Sequence, residues 1–446
     1  MNKNRMVVNL SVCFLLVILL VSCGQTSNGE SNSTPNNYDG TINVVKIEAK
    51  ELLSPYGEQD PAAKTIANGA NDFAFRLSGA LLEGADDKNF VCSPFSVWLP
   101  LAALANAAND QSKPALLTAL GAAGMNETDV NRTASRMLYS MTKLQNKDNE
   151  YQEYYNPIKI ANAIFVENNV TLRNEFAQSF MDFFRGSSIN VDFSSQNAVD
   201  AVNQWASDNT DGLIKNVVQE FPENTVAAIA NAIYFSDKWE LEFDTKKTKE
   251  DVFYAPSGKS TAFYMLREER SQRGYYEDDK IQALPLVFTQ GGGMYIILPK
   301  SGSAAELLAS MTNNYFLEIQ RKGQLGNGKL LLPRFSIDNN IDNLKESLIK
   351  LGVPLFDENT APLTGGLIEE NFRVFLTDAA QKALIKVDEK GTTAAAVTVM
   401  TAGITSVPPD GIPFEMICNR PFVFILYEST YDGGAQILFT GVVNKP

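Results

Sequence analysis

The sequence of 446 residues contains no histidine at all. Imidazole is the commonest general base in enzymes, so its absence excludes Ser-His-Asp triads, Cys-His dyads and zinc-binding helices of the His-x-x-x-His type. Carboxylate, lysine or cofactor chemistry stays open. The missing histidines therefore exclude most hydrolase mechanisms.

Basic residues are also scarce, because 38 lysines and arginines stand against 52 aspartates and glutamates, which gives a formal net charge of -14. An acidic chain of this kind argues against a nucleic-acid partner, which binds to basic patches. Hydrophobic residues make up 44% and charged residues 20% of the chain, which is typical of a globular protein. No cluster has the spacing of metal ligands, so we expect neither a metal nor a cofactor.

Two local patterns imitate enzyme motifs. Residues 323–329 match the first seven positions of a phosphate-binding P-loop, but Leu330 follows where Ser or Thr should bind magnesium, and a strand follows where a helix should. We interpret this segment as a turn into a strand. Acidic clusters at 268–269, 277–279 and 369–370 could in principle hold a glycosidase pair, but neighbouring carboxylates in polar surroundings are usually solvated surface.

The N-terminus has the layout of a secretory signal. Two basic residues precede an apolar stretch at residues 10–21, which is too short to span a bilayer comfortably. The stretch ends at Leu20-Val21-Ser22-Cys23, which resembles the bacterial lipobox, where the chain is cut before a cysteine that takes a lipid. This implies a signal peptide at residues 1–22, lipidation of Cys23, and a lipid-anchored protein of the bacterial cell envelope that faces the surface or the periplasm. An ordinary signal peptide that happens to end near a cysteine is the alternative.

The composition changes after this cysteine to Ser, Asn, Thr, Gly and Pro, from residue 24 to about residue 43. Such a segment cannot bury a core, so residues 23–60 are predicted to be a flexible tether that leads to a domain at 61–446. Cys92 and Cys418 remain in that domain. They form either one disulfide or two buried free thiols, and their spacing does not distinguish these possibilities.

The domain mixes helical and extended patterns without a regular alternation of strand and helix. Helical spacing and end signals predict helices at residues 71–82, 94–107, 198–209 and 342–351. Continuous apolar or β-branched runs predict strands buried on both faces at residues 158–165, 226–235, 294–298, 422–427 and 436–443. No repeat or second linker is visible, and the pattern predicts one large α+β domain.

Several segments, spread over nearly the whole chain from about residue 68, resemble the serpin family. Each is modest alone, but they occur together in the family's order and at its separations. They are Asn89-Phe-Val-Cys-Ser-Pro-Phe-Ser96, Asn203-Gln-Trp205 with Thr210-Asp-Gly-Leu-Ile214, Asn231-Ala-Ile-Tyr-Phe235 with Lys238-Trp239 and Phe243, Leu332-Pro-Arg-Phe335, Val387-Asp-Glu-Lys-Gly-Thr-Thr-Ala-Ala-Ala396, Asn419-Arg-Pro-Phe422 and Ile437-Leu-Phe-Thr-Gly441. The resemblance implies an α+β serpin fold with three β-sheets, about eight or nine helices, and an exposed reactive-centre loop at about residues 389–411.

The composition of this loop can also be judged without the resemblance. Gly391 is a natural hinge, and two threonines, three alanines and several β-branched residues follow it. Asp410 is the only charged residue between Lys390 and Gly411. A static strand would normally use Val, Ile and Leu throughout, whereas small uncharged residues suit a segment that is soluble when exposed and later enters a sheet. A buried strand followed by a Pro-Pro turn is the alternative.

The resemblance implies a mechanism. In a serpin, a protease attacks one bond of the loop, and the cleaved loop inserts into the main sheet before the acyl-enzyme is hydrolysed. The chain would then be a suicide-substrate inhibitor of endopeptidases rather than an enzyme, with the target protease as covalent partner. We expect the protein to be a monomer that contacts the membrane only through its N-terminal lipid. We expect no nucleic-acid partner.

Counting from Gly391 in the family's manner places the scissile bond between Thr405 and Ser406, directly after Ile404. The bonds 404–405 and 400–401 are alternatives. The loop contains no Lys or Arg between Gly391 and Gly411, so a trypsin-like target, whose pocket carries an aspartate, is not expected. Elastase-like or subtilisin-like serine proteases fit the threonine, and a papain-like cysteine protease could use Ile404.

The resemblance also implies roles for residues outside the cleavage site. The hinge of the loop consists of Glu389, Gly391, Thr392, Ala394, Ala395 and Ala396. A polar cluster beneath the main sheet, the shutter, consists of Ser93, Ser96, Asn231 and Gln381. The breach, at the top of that sheet, consists of Trp239, Arg334 and Glu389. Serpins usually carry a histidine where this chain has Gln381, and we expect its amide to preserve the network without a titrating group. Glu389 is expected to pair with Arg334.

A non-inhibitory serpin that acts as a surface binding or structural lipoprotein is the second functional hypothesis. Its usual signature is a charged residue, a bulky residue or a proline in the hinge, and residues 392–398 contain none of these. An enzyme or glycan-binding lipoprotein of the bacterial surface is a third hypothesis, which the set of motifs disfavours.

Overall fold

The computed structural model describes residues 12–23, 44–45, 61–84, 87–142, 157–370, 372–391, 411–430 and 434–446. The nine α-helices within these ranges are α1 Pro61–Leu82, α2 Pro94–Leu104, α3 Lys113–Ala119, α4 Glu127–Thr142, α5 Asn174–Phe184, α6 Gln196–Asp208, α7 Ala304–Ser310, α8 Asn313–Lys322 and α9 Leu344–Lys350. The strands are β1 Val12–Cys23, β2 Val44–Val45, β3 Phe90–Cys92, β4 Ile158–Glu167, β5 Gly186–Val191, β6 Thr225–Phe235, β7 Lys249–Ala255, β8 Gly258–Glu277, β9 Ile281–Val287, β10 Gly293–Pro299, β11 Gln324–Pro333, β12 Phe335–Ile341, β13 Arg373–Val387, β14 Ile412–Ile417, β15 Phe422–Ser429 and β16 Ala435–Val443.

The strands form three sheets. Sheet A has the order β12-β13-β1-β6-β4-β5-β2, and sheet B joins the end of β8 to β9, β10, β15, β16 and β3. The long strand β8 continues into sheet C, where β7 and β11 pair with it and β14 pairs with β11. The three sheets and the nine helices of the described ranges agree with the α+β architecture expected from the resemblance.

Helix α2 connects the sheets at the centre of the core. It packs against β6 of sheet A and β16 of sheet B, and all of its residues are buried. A helix that is apolar on every side must be covered on every side, which is the case here. Ser93 caps the helix by accepting a hydrogen bond from the Ser96 backbone N–H, and Pro94 occupies the first turn.

Two predictions of secondary structure were wrong. Helix α1 begins at Pro61, ten residues before the predicted start, because its first turns are less regularly apolar than the rest. Residues 323–328 are not a turn before a strand, since β11 already begins at Gln324. Its glycines permit a close approach of β14: a Cβ on Gly328 would lie 1.8 Å from the carbonyl oxygen of Phe414.

The apolar segment near the N-terminus forms a strand. Val12–Cys23, where the sequence predicts the end of a signal peptide and a lipidated cysteine, is β1 in the middle of sheet A. Val44–Val45, within the predicted tether, pairs with β5 at the edge of the same sheet. A continuous apolar run suits a central strand as well as a signal, so the sequence pattern does not separate the two. The other residues of the range 1–60 lie outside the described part of the chain.

None of the helices within the described ranges is long and apolar enough to cross a membrane.

Candidate functional site

The site centres on the two strands that border β1, because the predicted breach and shutter residues lie on them or beside them. Glu389 and Gly391 follow the last residue of β13, at what is called here the upper end of sheet A. Asn231 lies on β6 and Gln381 on β13. The remaining hinge and cleavage residues fall outside the described part of the chain: Thr392, Ala394, Ala395, Ala396, Ile404, Thr405 and Ser406.

An ion pair closes the upper end of sheet A. Arg334 Nε donates to both carboxylate oxygens of Glu389 at 2.9 Å, and Arg334 Nη2 donates to Oε1 at 2.5 Å. The Thr248 hydroxyl donates to the same oxygen at 2.5 Å. The Glu389 side chain is only 5% exposed, whereas that of Arg334 is 45% exposed. The expected contact between Glu389 and Arg334 is present, and Thr248 is a further partner that no sequence motif indicated.

Hydrogen bonds from the segment after β6 hold the residues that follow β13. The backbone N–H of Trp239 donates to the carbonyl of Lys390 at 3.0 Å, and that of Phe243 donates to the carbonyl of Glu389 at 2.8 Å. The indole Nε1 of Trp239 donates to the Asp388 carbonyl at 3.0 Å. The indole is buried and stacks on the Phe288 ring with centroids 4.6 Å apart. The segment that leads into the predicted reactive-centre loop is therefore anchored to the residues that follow β6.

Gly391 is required by this anchorage. Its φ of +127° is a conformation that residues with a Cβ rarely adopt, and a Cβ there would lie 2.4 Å from the Asp237 carbonyl oxygen. The Asp237 carboxylate accepts hydrogen bonds from Thr289 Oγ1 at 2.5 Å and from the Gln290 N–H at 3.0 Å. No sequence motif indicated Asp237, although it lies between the motif segments that end at Phe235 and begin at Lys238.

The shutter residues lie on both sides of β1. Gln381 exchanges two hydrogen bonds of 3.0 Å with the backbone of Ser93, whose N–H donates to Oε1 and whose carbonyl accepts from Nε2. Across β1, Ser96 Oγ donates to Asn231 Oδ1, and Asn231 Nδ2 donates to Asn162 Oδ1 at 2.8 Å. Asn162 was also missed, and the signal for it is a polar residue inside the apolar run of β4.

Strand β1 separates the two halves of this shutter. Leu16 is the register partner of both Gln381 in β13 and Asn231 in β6. Since two strand spacings lie between them, the backbones of β6 and β13 are about 9.6 Å apart at this level. The network expected from the sequence is therefore present as two halves, which the hydrogen bond from the Ser96 N–H to Ser93 Oγ connects. The glutamine does occupy the expected position and acts as both donor and acceptor.

The breach gives a prediction for acid pH. Burial acts to raise the pKa of Glu389, but hydrogen bonds from Arg334 and Thr248 outweigh it, so the pKa lies below its ordinary value. A lowered pKa stabilises the fold above the unfolded value, near pH 4.3, and this contribution is lost as the pH falls through the folded value. We expect the ion pair's share of the unfolding free energy to disappear only below about pH 4.

Denaturant titrations between pH 3 and pH 8 measure the unfolding free energy as a function of pH. In Glu389→Gln, the matched variant, this free energy should fall less steeply at acid pH than in the unchanged protein. Because no histidine exists, we also expect no step near the ordinary histidine pKa of about 6.5. A change in the unfolding free energy near that pH would contradict the prediction. So would a fall at acid pH that is equally steep in Glu389→Gln.

The two cysteines of the domain are free and buried. Burial raises the pKa of Cys92 to about 12, even though hydrogen bonds with Thr440 and Ser78 act in the opposite direction, and burial also raises the pKa of Cys418. Thiolates are the reactive form, so we expect both to react with a thiol reagent at least about 100-fold more slowly in the native protein than in denaturant. The measurement uses the Cys13→Ser, Cys23→Ser background. Fast labelling, or a change in gel mobility on reduction, would contradict it.

Comparisons with known proteins agree with this architecture. The family model described as serpin (serine protease inhibitor) matches residues 68–446. The chain is 28% identical over 398 residues to serine protease inhibitor A3K of Mus musculus, an alignment that covers 87% of this chain and 90% of the relative. It is 27% identical over 444 residues to an uncharacterised serpin-like protein of Thermococcus kodakarensis, which covers 97% and 98% of the two chains.

Solved serpin structures have the same fold. The thermophilic serpin tengpin in its native state superposes with a TM-score of 0.71 at 24% identity, covering 90% of this chain and 98% of tengpin. Human thyroxine-binding globulin superposes with a TM-score of 0.70 at 24% identity, covering 86% and 99%. The family match over residues 68–446 includes β4, β5, β6, β12 and β13 of sheet A, both halves of the shutter and the segment after β13, but not β1 or β2. It establishes that the chain belongs to the serpin family.

Proposed function

We propose that this serpin is a suicide-substrate inhibitor of endopeptidases, in which the cleaved reactive-centre loop enters sheet A between β6 and β13. The observation that carries the proposal is that sheet A accepts an additional strand at this position, because β1 pairs there with both neighbours. This position is called the insertion slot below. It adjoins Val387, where β13 ends, so the loop that follows has only to turn back to reach it.

The slot has the direction and length that the loop requires. β1 is antiparallel to β13, and a segment that turns back after β13 is antiparallel to it as well. β13 contains 15 residues, and the stretch 391–405 contains the same number. Either spans about 50 Å at roughly 3.3 Å per residue. The inserted loop would therefore match β13 along its whole length.

The chemistry belongs to the target protease. Its nucleophile bonds to the carbonyl carbon of Thr405, the bond from Thr405 to Ser406 breaks, and the nitrogen of Ser406 takes a proton and becomes a new N-terminus. Insertion of the freed loop then competes with hydrolysis of the acyl-enzyme. The uncharged composition between Gly391 and Pro409 supports insertion, because no charged side chain has to be taken out of water.

We further propose that the protein acts as a monomer, anchored in a bacterial cell envelope by a lipid on Cys23. The sequence Leu20-Val21-Ser22-Cys23 supports the anchor, and the Ser, Asn and Gly composition after it supports a tether between lipid and domain. An inhibitor held at the surface or in the periplasm would meet proteases that attack the cell envelope.

Incubation with proteases tests the function. The Cys23→Ser protein without residues 1–22 is mixed with pancreatic elastase, subtilisin or papain and analysed on SDS gels, and the released fragment is sequenced from its N-terminus. A stable covalent complex with a new N-terminus at Ser406 is expected. Cleavage without a complex would support a non-inhibitory serpin, and a cut outside residues 400–408 would remove the assigned bond.

Thr405→Arg is the matched variant for specificity. An arginine before the scissile bond fits the aspartate-containing pocket of trypsin and not the small pocket of elastase. The variant should gain a complex with trypsin and lose the complex with elastase.

A further inference from the structure

Strand β1 occupies most of the insertion slot, and residues 385–387 at the upper end of β13 have no register partner on it. Its residues are in register with β13 at eleven positions, from Cys13 opposite Leu384 to Cys23 opposite Arg373. They are in register with β6 at ten positions, from Val12 opposite Phe235 to Val21 opposite Thr225. Both ladders are antiparallel, so β1 runs in the direction that an inserting loop would take. A slot one strand wide holds one strand, and β1 and the loop therefore exclude each other.

The composition of β1 suits this position. A central strand of a sheet that is covered by other elements reads as a continuous apolar run, and β1 consists of Val, Leu, Ile, Phe, Cys and a single Ser. Every residue of the neighbouring strand β6 is buried, including four alanines at Ala227, Ala228, Ala230 and Ala232. The apolar leader thus completes a buried sheet and satisfies the backbone groups of both bordering strands.

We propose that the N-terminal leader acts as an intramolecular plug that keeps the uncleaved chain from inhibiting proteases, and that its removal arms the inhibitor. The inference rests on the proposed function, since it concerns the slot that the loop must enter. Leu16 lies between Gln381 and Asn231, so the plug also holds the two halves of the shutter apart. Without it, β6 and β13 become adjacent and parallel to each other, and the slot is free to open for the loop.

Cleavage at the lipobox-like sequence would release the plug. Hydrolysis of the bond from Ser22 to Cys23 by an endopeptidase adds a water molecule, whose hydroxyl completes the Ser22 carboxylate and whose proton goes to the Cys23 amine. This cut removes eleven of the twelve residues of β1, because the strand ends at Cys23. The protein would thus become an active inhibitor only where its leader is cleaved, and it would remain inactive until that cleavage.

Hydrogen exchange on the uncleaved full-length chain tests the plug without reference to proteases. We expect the amides of residues 12–23 to exchange at least about 100-fold more slowly than in a free peptide of the same sequence. Exchange of this segment at the free-peptide rate would overturn the proposal.

A proline in the full-length chain provides the comparison. Val17→Pro removes a backbone donor in the middle of β1, whereas Val8→Pro changes a residue outside that strand and is the control. We expect Val17→Pro to increase exchange in β6 and β13 at least about tenfold and to permit a covalent complex with elastase, while the unchanged chain and Val8→Pro form none. A synthetic peptide of residues 12–23 should reverse both effects, and the same peptide with the proline should not.

The outcomes separate the two proposals. If hydrogen exchange responds to Val17→Pro and to the peptide but no covalent complex forms with any of the three proteases, the occupation of the slot by β1 is supported. The inhibitory function is then overturned. A covalent complex with the unchanged full-length chain, formed as readily as with Val17→Pro, would overturn the plug and support the inhibitory function. If Val17→Pro does not fold, the exchange rate of residues 12–23 in the unchanged chain still decides the proposal.

Discussion

An arginine placed in the hinge converts the protein from an inhibitor into a substrate of its target protease. Residues 394 and 395 point to opposite faces of the strand that the loop forms after insertion. One face of sheet A is buried, as the alternation in β13 shows, where Ala379, Gln381 and Ala383 are buried and Ala380 is exposed. In the variant whose side chain points to the buried face, insertion must take a charge out of water.

The expected effect is large. Burying an unpaired charge costs several kcal/mol, and each ~1.4 kcal/mol added to the barrier slows insertion tenfold. We therefore expect at least one of Ala394→Arg and Ala395→Arg to lose about 100-fold or more in the ratio of complex formed to loop cleaved. Quantitative SDS gels with elastase measure this ratio. The protein used lacks residues 1–22, so that the leader does not interfere.

Pro409→Arg is the matched control, because it places the same charge in the same loop but beyond the scissile bond, in the part that does not insert. It should leave the ratio unchanged. If both hinge variants form complex as efficiently as the unchanged protein, the loop does not enter the sheet along this segment, and the proposed mechanism is wrong.

Removal of Arg334 destabilises the upper end of sheet A. Arg334→Met leaves the Glu389 carboxylate in a site where its side chain is only 5% exposed, with Thr248 as the remaining side-chain donor. Loss of one partner of a largely buried pair costs about 2–4 kcal/mol, discounted here because Arg334 itself is partly exposed. In the protein without residues 1–22, in which β1 does not fill the slot, we also expect loop–sheet polymers on a native gel after mild heating, because the anchor of the loop is weakened.

A double-mutant cycle tests the assignment. Arg334→Met combined with Glu389→Gln should recover most of the lost unfolding free energy, because the uncompensated charge is removed with its partner. Lys322→Met removes an exposed ion pair with Glu318 and should change stability by less than about 0.5 kcal/mol. Glu389→Lys, which sets two like charges against each other, should polymerise most readily. Native gels that do not change in any of these variants would contradict a role for the pair in closing the sheet.

Local patterns in the sequence were sufficient to predict those helices and strands whose pattern fits only one type of secondary structure. The apolar run that predicted a strand at 226–235 is β6, and the proline-started pattern at residue 94 is α2. The ion pair at the breach was also expected, because the resemblance identified both residues. The contacts of Thr248 and Asp237 were not expected. Thr248 precedes β7 of sheet C and meets Glu389 at the end of sheet A, whereas Asp237 follows β6 of sheet A and meets Thr289 in the loop between β9 and β10 of sheet B, so both contacts depend on how the sheets pack.

The sequence by itself determined the family, the absence of imidazole chemistry and the uncharged character of the reactive-centre loop. These follow from residue types and spacing, which do not change when the chain folds. Only the tertiary structure decided which segment lies between β6 and β13. That choice rests on backbone pairing between residues 12–23 and strands more than 200 positions away, and an apolar run has the same appearance whether it is a leader or a central strand. The hydrogen bonds of Gln381 and Asn231 were therefore expected from the resemblance, whereas the separation of these two residues by Leu16 was not.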